Sequence, residues 1–325
     1  AGVEEYEELL RGFSPLRTVY WTCPGSPPCL PHRADFDDAA HCQSLRAVRR
    51  LIKGRFFDSS VAYILADELP LFAGAYRNTS PVTFGEGQIL ELLDREGPMN
   101  IGLMKQMTGL LSKQITPLLH KLQEKFLVFE DQADSEWDRA WYPFAAEFPD
   151  VDLTRYTKGE AIQELVMRMA WYHVAVTPQM VRDFYRFSLK EAQIALNALE
   201  AEGRLIQTDG QWVRAEDLPR LEREETPPRC VFALNRNDPL VKANESELKK
   251  RFPRGESDVL YYLLVDGEFL GTVRGRFRNG PFELEDVELP AETAKSRRQE
   301  VLLAVRAVAD PAVSPLKRYL GKALL

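Results

Sequence analysis

Residues 83–144 read TFGEGQILELLDREGPMNIGLMKQMTGLLSKQITPLLHKLQEKFLVFEDQADSEWDRAWYPF, and this stretch decides the fold. Apolar residues recur at helical spacing in three segments, residues 85–97, 99–109 and 110–126. Residues 126–144 then alternate as two strands around a polar turn. Three helices followed by a β-hairpin is the order of a winged-helix module, which the sequence therefore predicts here.

The third predicted helix carries the apolar stripe that would pack this module. Ile115 and Leu119 recur along it at helical spacing. Ser112 is the expected N-cap, because its hydroxyl can accept a hydrogen bond from the first turn. Pro117 then falls about one turn inside the helix, unless the helix begins nearer Thr116.

The same pattern recurs about 77 residues later, and two matched units support the interpretation better than one. Leu119 of the first unit corresponds to Leu196 of the second. Thr177 is the expected N-cap of the second unit's middle helix, and an Asp209-Gly210 turn marks its hairpin. The segments are KGEAIQELVMRMAWYH (158–173), TPQMVRDFY (177–185), SLKEAQIALNALEAEG (188–203) and RLIQTDGQWVRA (204–215).

A less regular unit precedes these two modules. Residues 37–53 have helical spacing, residues 55–65 look extended, and residues 67–76 predict a short helix with an acidic start. After the second module, residues 216–229 are charged and contain prolines, which indicates a linker.

The last part of the chain is β-rich. Residues 258–289 have turn signals at Asp266-Gly267 and Asn279-Gly280, which predict a meander of three or four strands, and residues 294–310 predict a closing helix. We therefore expect an α+β fold with tandem winged-helix modules followed by a small β-rich, barrel-like domain. The predicted domains are residues 1–80 (N-terminal winged-helix-like unit), 81–152 (winged helix), 153–222 (winged helix) and 223–325 (β-rich domain with the closing helix).

The chain has 325 residues, a net charge of −7 and a pI near 5.4. This acidity argues against a protein that coats nucleic acid non-specifically, but it allows a local basic face. No apolar run approaches the length of a membrane-spanning helix, and the first residues lack the features of a secretion signal. We expect a cytoplasmic protein without membrane contact.

Three of the four cysteines lie close to two histidines, in the order Cys23, Cys29, His32, His41 and Cys42. Thiolate and imidazole are the usual zinc ligands, so a zinc site is one interpretation. The spacing matches no standard finger or ribbon, and buried thiols with loop histidines are the simpler interpretation. We expect neither a metal nor another cofactor.

Positive charge is concentrated around the third helix of the first module. No Asp or Glu occurs from Gly97 to Gln123, although the chain as a whole is acidic. A recognition helix that enters the major groove needs a basic and polar exposed face, whereas the alternative is a merely solvated helix. The candidate DNA-binding residues are Lys105, Ser112, Lys113, Gln114, Thr116 and Lys121.

Two other basic groups are candidates for DNA contact. One lies on the predicted N-terminal helix, and the other occupies alternate positions of a strand, which would place it on one face of a sheet. Solvated surface or intramolecular ion pairs are the alternative for both. The residues are Arg46, Arg49 and Arg50 in the first group and Arg274, Arg276 and Arg278 in the second.

The second module is less suited to DNA, because its third helix also carries Glu191, Glu200 and Glu202. Like charge repels phosphate, so we expect this copy to be structural or to contact a protein partner. The hairpin of the first module is acidic near its tip as well, with Asp131 and Asp134 among its residues.

The order of these parts resembles the AlkZ/YcaQ-like winged-helix proteins, a family of bacterial DNA glycosylases and their relatives. Three stretches carry the likeness, which spans most of the chain: KGRFFDSSVAYILADELPLFAGAY (53–76), FALNRNDPLVKAN (232–244) and LLVDGEFLGTVRGRFRNG (263–280). The resemblance implies a C-shaped protein whose concave face binds DNA. It also implies removal of an alkylated or cross-linked base.

The chain departs from the family at the residues that carry this activity. The family uses a Gln-x-Gln or Gln-x-Asp pair to activate a water, but the position that aligns reads Pro15-Leu16-Arg17, and no glutamine precedes Gln43. Arginine cannot act as a general base, because its pKa stays above about 12. No catalytic residue is therefore carried over from the family.

Three functions stay open. The first is a DNA-binding protein without catalysis, such as a regulator or a repair-associated binder. The second is a glycosylase with a rearranged site, in which Asp238, Asp58 or Asp67 supplies a carboxylate. The third is an interaction scaffold that uses its winged helices for protein contacts, which the acidity of the chain favours.

Overall fold

The computed structural model describes residues 2–17, 30, 32–33, 38–55, 57, 61–131, 139–221, 227–277 and 282–324. Helices pack with small antiparallel sheets, which confirms the mixed α and β content. No helix within these ranges combines the length and the apolar character that crossing a bilayer requires. Four units follow one another along the chain, and we call them the N-terminal unit, the first module, the second module and the β-rich unit.

The N-terminal unit is built around a three-stranded antiparallel sheet. Its elements are α1 (Val3–Phe13), β1 (Leu16–Arg17), α2 (Asp38–Ala47), β2 (Leu51–Gly54), β3 (Ala62–Leu65) and α3 (Leu69–Tyr76). The strand order is β1-β3-β2, and α1 and α2 pack beside the sheet.

The expectation of helix through residues 37–53 is wrong beyond Ala47. Arg49 has a positive φ of 57°, which turns the chain, and β2 starts two residues later. Leu51 and Ile52 then pair with β3 in a fully buried strand. A short buried strand and a helix end have similar apolar patterns, so the spacing alone did not separate them.

The first module has the predicted order of three helices and a hairpin. Its elements are α4 (Phe84–Glu96), β4 (Met99–Asn100), α5 (Ile101–Thr108), α6 (Ser112–Glu124), β5 (Val128–Asp131) and β6 (Ala140–Pro143), and α7 (Phe144–Glu147) follows. The strands form a sheet in the order β4-β6-β5.

The start of α6 differs by one residue from the expectation. Leu111, not Ser112, is the N-cap, and its N–H donates to the Gln114 side chain over 2.9 Å. Pro117 lies inside α6. Because proline has no N–H, the Lys113 carbonyl receives no helical hydrogen bond from that position.

The second module repeats the same order. Its elements are α8 (Lys158–His173), β7 (Ala175–Val176), α9 (Pro178–Tyr185), α10 (Leu189–Ala201), β8 (Leu205–Thr208) and β9 (Gln211–Arg214), with the sheet order β7-β9-β8. The predicted cap and turn are confirmed. Thr177 accepts a hydrogen bond from the Met180 N–H, and Asp209 and Gly210 have φ values of 49° and 76°.

The β-rich unit follows a short helix, α11 (Leu218–Leu221), in the predicted linker. Its elements are β10 (Val231–Asn235), α12 (Pro239–Ala243), α13 (Glu245–Arg251), β11 (Asp258–Val265), β12 (Glu268–Arg276), β13 (Glu283–Glu288), α14 (Ala291–Ser296), α15 (Arg298–Val308), β14 (Arg318–Tyr319) and β15 (Lys322–Ala323).

The strands β10 to β13 form the predicted meander, in sequence order. Asp266 and Gly267 have positive φ values of 50° and 88°, as expected for their turn, whereas Asn279-Gly280 lies outside the described residues. Among the described strands, β10 and β13 are edges, so the barrel is not confirmed. The expected closing helix consists of two helices, α14 and α15, which meet at Arg297.

The largest apolar core draws on all four units, because Ala243 of α12 belongs to it as well. It contains Ile64 and Phe72 from the N-terminal unit, Phe129 from the hairpin of the first module, and Leu165 and Leu196 from the second module. Further cores lie within the first module and within the β-rich unit. Shared apolar burial therefore fixes the hairpin and the second module against the N-terminal unit, while the exact domain boundaries stay a prediction.

Buried carboxylates reinforce the contact between the hairpin and the N-terminal unit. Arg46 donates to Asp131 over 2.5 Å (Nη2 to Oδ1), and Arg49 also donates to the Asp131 carboxylate. The neighbouring Glu130 is fully buried, and its Oε1 lies 3.6 Å from Nε of Arg55. A buried carboxylate without a cation carries a large desolvation penalty, so these pairs hold the hairpin in place.

We expect Asp131→Asn to lower the free energy of unfolding by about 3 kcal/mol, because it removes the carboxylate that Arg46 and Arg49 share. Asp67→Asn is the matched control, since it breaks the exposed pair with Arg11 and should cost less than about 1 kcal/mol. Urea unfolding followed by tryptophan fluorescence measures both. Equal losses in the two variants would contradict the role assigned to Asp131.

Candidate nucleic-acid interface

The exposed face of α6 carries the residues predicted to contact DNA. Lys113 and Lys121 are exposed and lie two turns apart, so they point to the same side of the helix. Ser112 and Gln114 are exposed at its start, and Thr116 is half-buried. The structure therefore brings the hydroxyl, amide and ammonium groups of this helix to one end and one side.

The lysines of this module are available to an external anion. Within the part of the chain that the structure describes, Lys105, Lys113 and Lys121 form no ion pair. His120 lies next to Lys121 on α6, and burial lowers its pKa, with a smaller effect from Arg55. It therefore adds no positive charge near neutral pH. The charge of this face thus comes from its lysines.

The arginines proposed on the N-terminal helix are engaged within the protein. Arg46 is buried against Asp131, and Arg49 contacts Asp131 and also Glu147 over 3.2 Å. Arg50 is exposed and pairs with Glu7 over 2.5 Å. The guanidinium groups of Arg46 and Arg49 are therefore committed to carboxylates, and they serve the packing of the hairpin.

The arginines of β12 do not share one environment. A register shift between Arg274 and Gly275 breaks the alternation, and Arg274 is buried. It donates to Glu288 and, over 3.0 Å, to the Pro253 carbonyl. Arg276 is exposed and pairs with Glu285 over 3.0 Å, and Arg278 lies outside the described residues.

A second basic surface, which sequence reasoning missed, is a cleft of about 530 Å³ between the N-terminal unit and the β-rich unit. We call it the basic cleft. Cations outnumber carboxylates among its described lining residues, and Phe252 and Tyr262 supply an aromatic wall. The charged residues that line it are Arg55, Arg236, Lys242, Lys249, Arg254, Glu245 and Asp258.

One wall of the basic cleft is positioned by a capped short helix. Asp238 is the N-cap of α12 and accepts a hydrogen bond from the Leu240 N–H over 2.9 Å. Its Oδ1 also receives a 2.6 Å hydrogen bond from Arg33 of the N-terminal unit. Burial raises the pKa of Asp238, while Arg33 opposes that shift. This pair ties the two sides of the cleft together.

The floor of the basic cleft is a charge network around Glu245. Its Oε1 lies 3.1 Å from Nζ of Lys242 and 3.0 Å from Nζ of Lys249, and its Oε2 lies 2.6 Å from Arg186. Burial alone would raise the pKa of Glu245, but these cations outweigh it and lower the pKa to about 2. Burial lowers the pKa of Lys242 to about 8.

The second module adds a neighbouring cleft of about 580 Å³, whose lining includes Arg182, Arg186 and Lys249. Two of the α10 carboxylates that argued against DNA binding have partners within the second module. Glu191 pairs with Lys158 over 2.6 Å, and Glu200 accepts a hydrogen bond from the Trp212 indole. The lining of this cleft also includes Asp183, Glu191 and Glu245, so its described residues carry as many carboxylates as cations.

A family model described as "DNA glycosylase AlkZ-like" matches residues 30–310. The chain belongs to the AlkZ-like DNA glycosylase family. Among solved structures, it is similar to the Streptomyces sahachiroi DNA glycosylase AlkZ, with a TM-score of 0.60 and 12% sequence identity. That match covers 97% of this chain and 98% of the other, and at this identity it shows a shared fold. No curated protein sequence matches the chain.

The segment Leu16–Arg17, where the sequence analysis expected the family's glutamine pair, is buried. Leu16 and Arg17 form β1 and pair with β3. Arg17 is buried, and its Nη2 lies 3.4 Å from the Phe184 carbonyl of the second module.

The three carboxylates that the sequence analysis offered for a rearranged glycosylase site differ in environment. Asp67 is exposed and pairs with Arg11. It is not among the described residues that line the basic cleft. Asp238 is fully buried behind Arg33. Asp58 lies outside the described residues.

The cysteine and histidine cluster is only partly described, because Cys23 and Cys29 lie outside the described residues. Among the residues that the structure does describe, no group of three potential ligands could hold a metal ion. Cys42 is buried, and burial raises the pKa of its thiol to about 12, which keeps it protonated near neutral pH.

The basic cleft could not be found by reading one helix. Its cations lie on α12 and α13 and shortly after β2, β10 and α13, and they meet only because the β-rich unit docks against the N-terminal unit. The only local signal is the basic run LKKRFPR at residues 248–254, next to the AlkZ-like stretch at residues 232–244.

We expect the network around Glu245 to stabilise the protein above about pH 4.5 and to lose that contribution as the pH falls towards 2, because its folded pKa is about 2 against an ordinary 4.5. Glu245→Gln should lower the free energy of unfolding at pH 6 by about 3 kcal/mol and flatten its pH dependence in this window. Urea unfolding at several pH values measures this change.

Glu247→Gln is the matched control, because Glu247 lies on the same helix and is exposed. It should leave both the stability and its pH profile close to those of the parent protein. The same pH profile in Glu245→Gln as in the parent would contradict the network.

Proposed function

We propose that this AlkZ-like protein binds duplex DNA through α6 of the first module and through the basic cleft. Two features together carry the proposal. The lysines on α6 form no ion pair within the described chain, and a cationic cleft lies on a protein whose net charge is −7. The α6 lysines are not neutralised by a described carboxylate, and the lining of the basic cleft holds five cations against two carboxylates, so both surfaces offer the excess positive charge that phosphate contact requires.

Both modules are proposed to be winged helices. The order of three helices and a hairpin, with a short strand completing a three-stranded sheet, supports this interpretation. In a winged helix the third helix enters the major groove, so α6 is the proposed reading element. The proposed contacts are Lys105 on α5 and Ser112, Lys113, Gln114, Thr116 and Lys121 on α6.

Three of the arginines that the sequence suggested are not part of the proposed DNA surface. Arg46, Arg49 and Arg274 are held by carboxylates or carbonyls inside the protein. Arg50 and Arg276 are exposed and stay as peripheral candidates. Arg236 and Arg254 take their place, because they line the basic cleft.

Base excision is the second candidate function, and membership of the AlkZ-like family favours it. The buried Arg17 stands against a water activated in the family's manner, since an arginine does not accept a proton. A protein partner at the second module is a third use, which its exposed Leu189 and Ile194 would suit. We rank DNA binding first.

We expect Lys113→Glu with Lys121→Glu to weaken duplex binding about 10- to 100-fold at about 50 mM salt, because two phosphate contacts become repulsive. The slope of log affinity against log salt should fall by about 2. Arg236→Glu with Arg254→Glu tests the basic cleft in the same way. Fluorescence anisotropy across a salt series measures all of these variants.

The matched control is Lys295→Glu with Arg306→Glu, which changes the net charge equally on exposed residues outside both surfaces. It should keep most of the parent affinity. If all three double variants weaken binding alike, the effect is one of net charge and the two proposed surfaces are wrong. Undetectable binding by the parent protein at about 50 mM salt would exclude DNA as the partner.

Catalysis is tested separately, by incubating the protein with alkylated and cross-linked duplexes and measuring released base. Release that Arg17→Ala or the cleft variants abolish would favour a rearranged glycosylase site. Binding without release from any lesion would favour a DNA-binding protein that has lost the excision step.

A further inference from the structure

Lys242 stands out among the lysines of this protein because it is buried and yet lines the basic cleft. It lies near the end of α12, and only 8% of the residue is exposed. Burying an ammonium group is costly unless it is paired, so a lysine in this position calls for a physical reason.

An ion pair with Glu245 does not supply that reason by itself. The Glu245 carboxylate already has Arg186 at 2.6 Å and the exposed Lys249 at 3.0 Å. A third cation is not needed to neutralise it, and Arg17 from β1 adds further positive charge near the Lys242 amine. Burial outweighs the attraction of the Glu245 carboxylate and, with the help of Arg17, favours the neutral amine at this position.

The charged groups that face Lys242 come from several elements. They are Glu245 on α13, Arg17 on β1 and Arg186 after α9. Burial has the largest effect and lowers the pKa of Lys242 to about 8. At pH 8 about half of this amine is neutral, against roughly 0.4% for an ordinary lysine with a pKa near 10.4.

We infer that Lys242 is an amine nucleophile that forms a reversible imine with the C1′ aldehyde of an abasic site in DNA held in the basic cleft. The inference rests on the proposed DNA binding. It adds a substrate class, abasic DNA, and a covalent step. The surrounding cations suit the phosphates that flank such a site, and the aromatic wall of Phe252 and Tyr262 suits the neighbouring bases.

The step needs no reagent beyond the two partners. The Nζ lone pair attacks the carbonyl carbon of the ring-opened sugar, and the carbonyl π electrons move to oxygen, giving a carbinolamine after proton transfer. Loss of that hydroxyl as water leaves the C1′=Nζ imine, and water reverses the sequence. Nothing is oxidised or reduced, so the cleft would hold abasic DNA covalently but reversibly.

The test is reductive trapping with a duplex that contains one abasic site, in the presence of sodium cyanoborohydride. Reduction converts the imine into a stable amine, which denaturing gels detect and peptide mass mapping locates. We expect trapping at Lys242 whose rate rises between pH 6.5 and 8.5, with a midpoint near 8. Lys242→Arg and Lys242→Gln should lose at least about 10-fold in trapping per bound complex.

Two controls separate the features that the inference combines. Lys53 is buried, and burial lowers its pKa to about 8, but it does not line the basic cleft. Lys250 is exposed on α13 and does not line it either. Lys53→Arg and Lys250→Arg should both trap abasic DNA as the parent protein does. Thermal unfolding of each variant confirms that it is folded.

Binding to the abasic duplex is measured by anisotropy without the reductant, so that two kinds of failure are distinguishable. Absence of binding would overturn the proposed function and this inference together. Binding without trapping, or trapping that maps to Lys113 or Lys121 and survives in the Lys242 variants, would overturn the inference alone. Trapping lost in Lys53→Arg as well would show that a low pKa, rather than a place in the cleft, decides reactivity.

Discussion

Buried carboxylates need cationic partners, and three of those in this protein pair with cations from another unit of the chain. Removing a charge from water is too costly without a partner, so each such pair fixes two units against each other. Together with the shared apolar core, these pairs determine where the basic cleft lies. They join Asp131 to Arg46, Glu68 to Arg168, and Asp238 to Arg33.

This constraint explains why arginine-rich segments were poor guides to the DNA surface. Arg46 and Asp131 are 85 positions apart, and Arg33 and Asp238 are 205 apart, so no local pattern shows that they meet. The lysines of α6 behave differently, because Lys113 and Lys121 form no ion pair within the described part of the chain, although Glu124 follows Lys121 by three residues. Surface availability, rather than the number of basic residues, separates the two groups.

The sequence predicted well what depends on neighbouring residues. The cap at Thr177, the turn at Asp209-Gly210 and the helix order of both modules follow from local hydrogen bonding and apolar spacing. It failed at β2, where four buried residues read equally well as the end of a helix. It also missed the basic cleft, whose walls come from distant segments that only tertiary packing brings together.

The same packing brings cations of two units together around Glu245. Arg17 lies buried at β1, beside the second module and close enough to Lys242 to lower its pKa. Burial has the larger effect on that pKa, and the Glu245 carboxylate opposes both. A buried guanidinium beside the cleft therefore acts in the same direction as desolvation, and both favour the neutral form of the amine that the proposed step uses as its nucleophile.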